Sequence, residues 1–349
     1  MAGGIGTRFW PMSTQKSPKQ FHDVLGTGKT LLQQTFERMK LISDTSRIFV
    51  ITSMEFTDLV FEQLPDLPVE NCIAEPMGMN TAACVAYASF KISQLDENAQ
   101  LLICPSDHLI LNESLFAKNV QKAMSESLKK EGLYTLGIEP TRPDTGYGYI
   151  QYIPSSKQVK EVKTFTEKPD FSLAKQFIES GDFLWNSGMF IWKVSDILEA
   201  LKRYLPDMYR AFENIKSHMN TESEIEEVSK IYPTLQKTSI DKGVLEKCEK
   251  VFVLPARFGW SDLGTWLSLF EQSDRDPQRN AVVGEEVKLY NAKGNMIHIE
   301  GDRVAVIDGL ENFIVVNTDD ALLICPLKND QEVKNYVTNL RLSKADKYI

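Results

Sequence analysis

Gly3-Gly4-Ile5-Gly6-Thr7-Arg8-Phe9-Trp10-Pro11-Met12-Ser13, followed by Ser17-Pro18-Lys19-Gln20-Phe21, is the stretch on which the reading turns. Closely spaced glycines let backbone N–H groups approach a phosphate chain and line up on it as a nest. Arg8 and Lys19, on the same excursion, add two positive charges. An ordinary glycine turn with surface cations explains each feature singly, but the combination at this spacing is specific. The run starts close behind Met1, so a glycine-rich turn arrives with no apolar strand in front of it. Two commoner glycine signatures fail. Val24-Leu25-Gly26-Thr27-Gly28-Lys29-Thr30 imitates a P-loop, yet Asp23 stands where that motif requires glycine. From Gly4 the dinucleotide pattern is met at Gly6 and then lands on Phe9, which removes the main support for hydride chemistry.

Downstream, buried-strand patterns at Ile48–Ile51, Leu101–Cys104 and Leu133–Leu136 alternate with amphipathic helical patterns at Leu31–Leu41, Glu55–Leu64, Thr81–Leu95 and Ser114–Lys130. Such alternation predicts an α/β fold, Rossmann-like, with a mixed, mostly parallel sheet flanked by helices. Ligands of these sheets sit beyond the carboxyl ends of the strands, so polar loops directly after strands are where chemistry is sought. Tyr149–Ile153 and Val159–Thr166 read as strands, and helices return until about residue 247. After about residue 280, short strands recur at regular spacing between Gly, Asn and Asp turns, ending in a helix over Asp330–Leu340. The expected division is a catalytic domain over 1–275 and a small all-β, β-helix-like cap over 280–349.

Composition narrows the function. Hydrophobic residues are 42% and charged residues 25%, as in globular chains that bury a core, and the net charge of -9 supplies no basic field for nucleic acid. No apolar run approaches the length that spans a membrane. Five widely spaced cysteines without a CxxC pair predict reduced thiols in a cytoplasmic protein.

The chain resembles the sugar-1-phosphate nucleotidyltransferases along its whole length. The resemblance rests on the Gly3–Ser13 loop, Pro18–Phe21, Glu75-Pro76 with Asn80-Thr81-Ala82, Pro105-Ser106-Asp107-His108, Gly146–Ile150, Phe165–Pro169, Trp185–Phe190 and Phe258–Trp266. It implies the nucleotide-diphospho-sugar transferase type of fold, with GTP and mannose 1-phosphate as substrates and Mg2+ as cofactor. A phosphate oxygen of the sugar attacks the α-phosphorus and pyrophosphate leaves in line, a transfer that needs positioning and charge neutralisation more than a protein nucleophile.

By the same resemblance Arg8, Lys19 and Lys168 are catalytic. Gly3, Gly4, Gly6, Thr7, Arg8, Glu75, Asn80, Thr81, Ser106 and Asp107 bind the nucleotide, and Asp107 and Asp262 hold the metal. Hard magnesium takes a few carboxylates plus phosphates and water, which suits two aspartates brought together by folding, although helix capping explains either aspartate on spacing alone. Gly146, Tyr147, Glu167, Lys168 and Asn186 are expected to bind the sugar. Carboxylates and amides beside open backbone suit hexose hydroxyls, while a charged strand end and a plain hairpin are the simpler explanations of those two segments. Trp185, Trp192, Trp260 and Trp266 are expected in the core.

The run Met79–Ala83 departs from the family's Arg-Asn-Thr-Ala-Pro, leaving Asn80 and Thr81 to bond a base or to cap a helix. Lys19 and Asp107 are expected to be exposed loop charges whose removal lowers turnover far more than stability. Longer relatives carry a cupin-like isomerase domain, so that activity is expected to be absent here. An apolar strand normally runs into the glycine loop, so Met1 is expected to be an internal methionine with about ten residues missing before it. Short strands in the cap suit a contact between two copies, a homodimer.

Overall fold

The structure is a computed structural model describing residues 1–4, 6–342 and 348–349, so Ile5 of the glycine loop and residues 343–347 of the cap lie outside the described residues. Strands in chain order are β1 (Val50–Ser53), β2 (Cys72–Glu75), β3 (Gln100–Ile103), β4 (Leu109–Ile110), β5 (Leu133–Ile138), β6 (Gly148–Tyr152), β7 (Lys160–Glu167), β8 (Phe183–Lys193), β9 (Val251–Ala256), β10 (Trp260–Ser261), β11 (Ala281–Val283), β12 (Glu286–Tyr290), β13 (Met296–Ile299), β14 (Val304–Asp308), β15 (Phe313–Asn317) and β16 (Leu322–Pro326). Two compact units emerge. One comprises Met1–Gly3, Arg38–Pro105 and Ile110–Trp260, the other Gly4–Glu37, Ser106–Leu109 and Ser261–Ile349. The glycine loop therefore clusters with the C-terminal strands rather than with the α/β segments, a grouping that a boundary near residue 280 does not contain.

The first unit holds a six-stranded sheet in the order β3-β8-β5-β9-β7-β6. Its expected mostly parallel character is corrected: β5 pairs parallel with β9, whereas β8 runs antiparallel to β3, β5 and β6, and β7 antiparallel to β6 and β9. An apolar run reports burial on both faces but not strand direction, and the 11-residue β8 reverses the pattern. A separate parallel pair, β1 with β2, ends at Ser53 opposite Glu75. Ala2 donates its N–H to the Ile51 carbonyl at 2.6 Å and the Met1 amine donates to the Cys104 carbonyl at 2.8 Å.

Helices complete the layers. The helix Thr81–Ser93 is built largely of small residues and is buried nearly all round, as a central helix should be. Val194–Tyr204 and Pro206–Ile215 share a core with it through Leu201 and Phe212. Asn112 caps Glu113–Lys129 by accepting from the Leu115 N–H at 2.9 Å. Phe116, Val120 and Ala123, at helical spacing, then share a core with Tyr134, Leu136 and Leu254, each large side chain contributing about 1.5–3 kcal/mol on burial.

In the second unit β11, β13 and β15 stack in parallel and β16 closes the sheet antiparallel. The register places Ala281, Met296, Ile314 and Cys325 in one buried column, the arrangement of a β-helix. Buried Asn295 secures the turns by donating to Asn280 Oδ1 at 2.9 Å and accepting the Phe313 N–H at 2.8 Å. Phe9, Trp10, Leu31 and Trp266 belong to the same apolar cluster as that column.

Candidate active site

Within the second unit the glycine loop leads into a 3-10 turn, Thr7–Phe9. Gly6 has φ +69, and a Cβ there would lie 2.9 Å from Lys19 Cβ, so only glycine permits the approach. Lys19 is 3% exposed and spends its ammonium group on three acceptors: Asp107 Oδ2 at 2.8 Å and the Asp262 and Leu263 carbonyls at 3.0 Å each. The expectation of an exposed loop charge is thus corrected for Lys19. A buried ammonium is tolerable only when paired and fully hydrogen-bonded, and here the site itself supplies the partners. Asp107 is about one-third exposed. Burial works to raise its carboxyl pKa, but the Lys19 ammonium and His108 more than offset this and hold it below the usual range.

The other members of this set lie nearby in the chain or on neighbouring turns. Gly4 is exposed with open space around its Cα, and Thr7 accepts the Trp10 N–H through its carbonyl. Arg8 is half-buried, and its buried Nε has no hydrogen-bond partner. The Ser106 carbonyl accepts from Thr35. After Asp262, Leu263 is fully buried with φ 44, a left-handed conformation costly for a large side chain. The Gly264 N–H donates to Asp262 Oδ1 at 2.8 Å, and a Cβ on Gly264 would lie 2.7 Å from Asp262 Oδ2.

The P-loop look-alike is explained by its odd residue. Asp23 Oδ1 accepts the Thr27 N–H at 2.9 Å and its Oδ2 accepts the Gly28 N–H at 2.5 Å. The chain's own carboxylate fills the position an anion would take.

Within the first unit, Glu75 ends β2 with Oε1 accepting the Tyr232 hydroxyl at 3.1 Å, and Gly3 would bring a Cβ 3.6 Å from Oε2. Burial pushes its pKa up to about 7, against the opposing pull of Tyr232 and the Met1 ammonium. Asn80, with φ 70, caps the helix by accepting the Thr81 N–H, and Thr81 Oγ1 accepts the Ile240 N–H at 2.9 Å. Both residues thus secure the start of that helix.

The sugar-side set converges on Gly148. A Cβ there would lie 2.6 Å from Glu167 Oε2 and 3.4 Å from Asn186 Cβ. Glu167 pairs with Lys168 at 3.4 Å, and Lys168 takes φ 47 directly before Pro169, where its N–H reaches the Tyr147 carbonyl at 3.2 Å. Gly146 donates to Asp144 Oδ1. Tyr147 is buried against Trp185 and Trp260 at ring separations of 4.9 and 5.2 Å, and all four tryptophans named above are core residues. Asn186 is an internal residue of β8 rather than part of a hairpin.

Sequence reasoning missed Asp241, whose Oδ1 accepts from Asn186 Nδ2 at 2.7 Å. Burial, opposed by that hydrogen bond and aided by Glu167, lifts its pKa to about 6. It lies far from Asn186 in the chain, so neither periodicity nor motif announces it.

Among the described residues no three His, Cys, Asp or Glu side chains converge as a metal cage. Lys19 meets Asp107 through its carboxylate and Asp262 through its main-chain carbonyl, while the Asp262 carboxylate accepts from Gly264; the donors these two residues offer are all oxygen, the type that suits a magnesium-like ion drawing its other ligands from phosphates and water.

A mixed sheet flanked by helices, a glycine loop joined to a cation and carboxylate cluster, and a β-helix define a sugar-nucleotide type of nucleotidyltransferase. The chain matches the family described as Nucleotidyl transferase over residues 1–279 and a MannoseP isomerase/GMP-like beta-helix domain over residues 284–340, and it belongs to the nucleotidyl transferase family. It is 38% identical to a mannose-1-phosphate guanylyltransferase of Salmonella muenchen, over 100% of this chain and 74% of that protein. A mannose-1-phosphate guanylyltransferase of Salmonella typhimurium is 37% identical over 100% and 73% respectively. A solved structure from Thermus thermophilus, described as a mannose-1-phosphate geranyltransferase, superposes with TM-score 0.88 at 30% identity, covering 98% of each chain. Among the described residues no helix is long and apolar enough to cross a membrane.

Proposed function

We propose that this chain transfers the guanylyl group of GTP to mannose 1-phosphate, giving GDP-mannose and pyrophosphate. The observation that carries the chemistry is the Lys19 ammonium fixed between Asp107 and the Asp262–Leu263 carbonyls, beside a glycine loop whose Arg8 Nε has no partner. The guanine and mannose assignments draw on the named relatives.

In this reading the Gly3–Thr7 N–H groups and Arg8 bind the triphosphate and stabilise charge on the departing pyrophosphate. Lys19 holds Asp107 ionised and in place. Asp107 and Asp262 would bind Mg2+, which supplies Lewis-acid charge neutralisation at the phosphates. Lys168 faces the sugar phosphate, whose own oxygen is the nucleophile. Gly146, Tyr147, Glu167 and Asn186 orient the hexose. Glu75 offers carboxylate oxygens to the N1–H and amino group of guanine, and Asn80, Thr81 and Ser106 are further nucleotide-binding residues.

The five free thiols suit a reducing cytoplasm, and the β cap is the surface for a homodimer, which light scattering in solution tests. The activity is tested by pyrophosphate release over a matrix of nucleotides and sugar phosphates. GTP with mannose 1-phosphate is the expected best pair. Turnover only with UTP or dTTP and glucose 1-phosphate would remove both assignments.

A further inference from the structure

Asn186 is held at both ends of its amide. Nδ2 donates to Asp241 Oδ1 at 2.7 Å, and Oδ1 accepts the Gly188 N–H at 3.1 Å, where β8 takes φ +69. This fixes which end is oxygen, and leaves one N–H and one lone pair of the amide's inventory for a ligand. Adjacent hexose hydroxyls, one donating and one accepting, match that remainder.

Asp241 is itself placed by unusual backbone. It opens a single π-helical turn, Asp241–Leu245, a form concentrated at functional sites. The entry to that turn is tied to the start of the helix Thr81–Ser93, because Thr81 Oγ1 accepts the Ile240 N–H and the Ala82 N–H donates to the Thr238 carbonyl. Glu167 adds a second carboxylate close enough to disfavour ionisation of Asp241. Two acids gathered near one amide and a glycine help folding little, so the arrangement points to a ligand.

We propose that Asp241 is a positioning residue for sugar recognition: it locks the Asn186 amide in the orientation that reads hexose hydroxyls and thereby sets discrimination between epimeric sugar phosphates. The inference rests on the reading that Asn186 faces the sugar.

The test is steady-state kinetics on the full chain with Asp241→Ala, Asn186→Ala and the double variant, each first shown to melt cooperatively. Asp241→Ala removes the acceptor that fixes the amide and introduces no new donor or acceptor. It should raise KM for mannose 1-phosphate about tenfold, lower the preference for mannose over glucose 1-phosphate, and leave KM for GTP within about twofold. Added to Asn186→Ala, it should cost nothing further. Equal changes in both KM values, or an undiminished effect of Asp241→Ala in the Asn186→Ala background, would overturn the proposal. A parent enzyme that prefers another sugar phosphate would overturn the mannose reading alone, and the same cycle is then run on that sugar. If the parent turns over no pair, the cycle is run on calorimetric affinity for GDP-mannose, and absence of binding sinks both.

Discussion

Replacing Glu75 by glutamine should make the protein more stable at alkaline pH and a poorer enzyme. Glu75 is 7% exposed, and its pKa stands near 7 against 4.5 for the unconstrained group. Cys84, Tyr87 and Tyr232 all feel its charge, and the Tyr232 hydroxyl and Met1 ammonium recover only part of the desolvation cost. The native state therefore binds this proton more tightly than the unfolded chain does. Its stability contribution is whole below about pH 4.5 and is lost as pH rises through about 7. At about 1.4 kcal/mol per unit, the loss approaches ~3 kcal/mol by pH 8 and stays under ~1 kcal/mol at pH 5. Glutamine still accepts from Tyr232 and carries no charge to desolvate. Urea unfolding at both pH values should show the variant ahead by up to ~3 kcal/mol at pH 8 and nearly level at pH 5. Its turnover with GTP should fall, since an amide replaces the carboxylate assigned to guanine. A variant less stable than the parent at pH 8, or with an unchanged pH profile, would refute the reasoning.

Lys19→Met should cost about 3 kcal/mol in thermal or urea unfolding as well as abolishing pyrophosphate release, because it removes three hydrogen bonds and strands the partly buried Asp107. Full stability in this variant would count against the buried tie. Gly148→Ala places a Cβ 2.6 Å from Glu167 Oε2, so KM for the sugar phosphate should rise at least tenfold with KM for GTP unchanged, read by varying each substrate in turn. His298 is buried beside Trp266 with its pKa pushed down to about 4 by burial, so it folds neutral. The stability this gives is present above about pH 6.5 and declines by up to ~3 kcal/mol as pH falls toward 4, a slope that His298→Gln should flatten in urea titrations. Chelation by EDTA should abolish turnover, with recovery on adding magnesium. Undiminished turnover in EDTA would contradict the metal assignment.

Much of the fold was legible because local chemistry and burial agree. Asn112 and the apolar spacing of Phe116, Val120 and Ala123 announce a helix that forms within one residue of the expected bounds at each end. The regular short strands after residue 280 likewise become β-helix rungs. Strand direction was not legible: Leu133–Leu136 reads as buried whether its neighbour is the parallel β9 or the antiparallel β8. The burial of Lys19 was equally hidden, since its partners include main-chain carbonyls of Asp262 and Leu263, which no side-chain pattern encodes. Asp241 was missed for the same reason, its meaning residing in one contact across the fold.

The charge of the phosphate-side cluster reconciles an acidic chain with an anionic substrate. Arg8 and Lys19 bring two formal positive charges and Asp107 and Asp262 two formal negative ones, so the four sum to zero, and Lys19 holds the Asp107 carboxyl below its usual range. The whole chain adds a formal charge of -9. On the proposed function a triphosphate would meet no net positive field from these four side chains, and its orientation would fall to directed donors such as the Arg8 guanidinium, whose Nε has no partner within the protein. Such donors orient an anion without cancelling its charge. A divalent ion at Asp107 and Asp262 would supply the missing positive charge, so the proposal predicts that the metal–nucleotide complex binds in preference to free nucleotide or free phosphate.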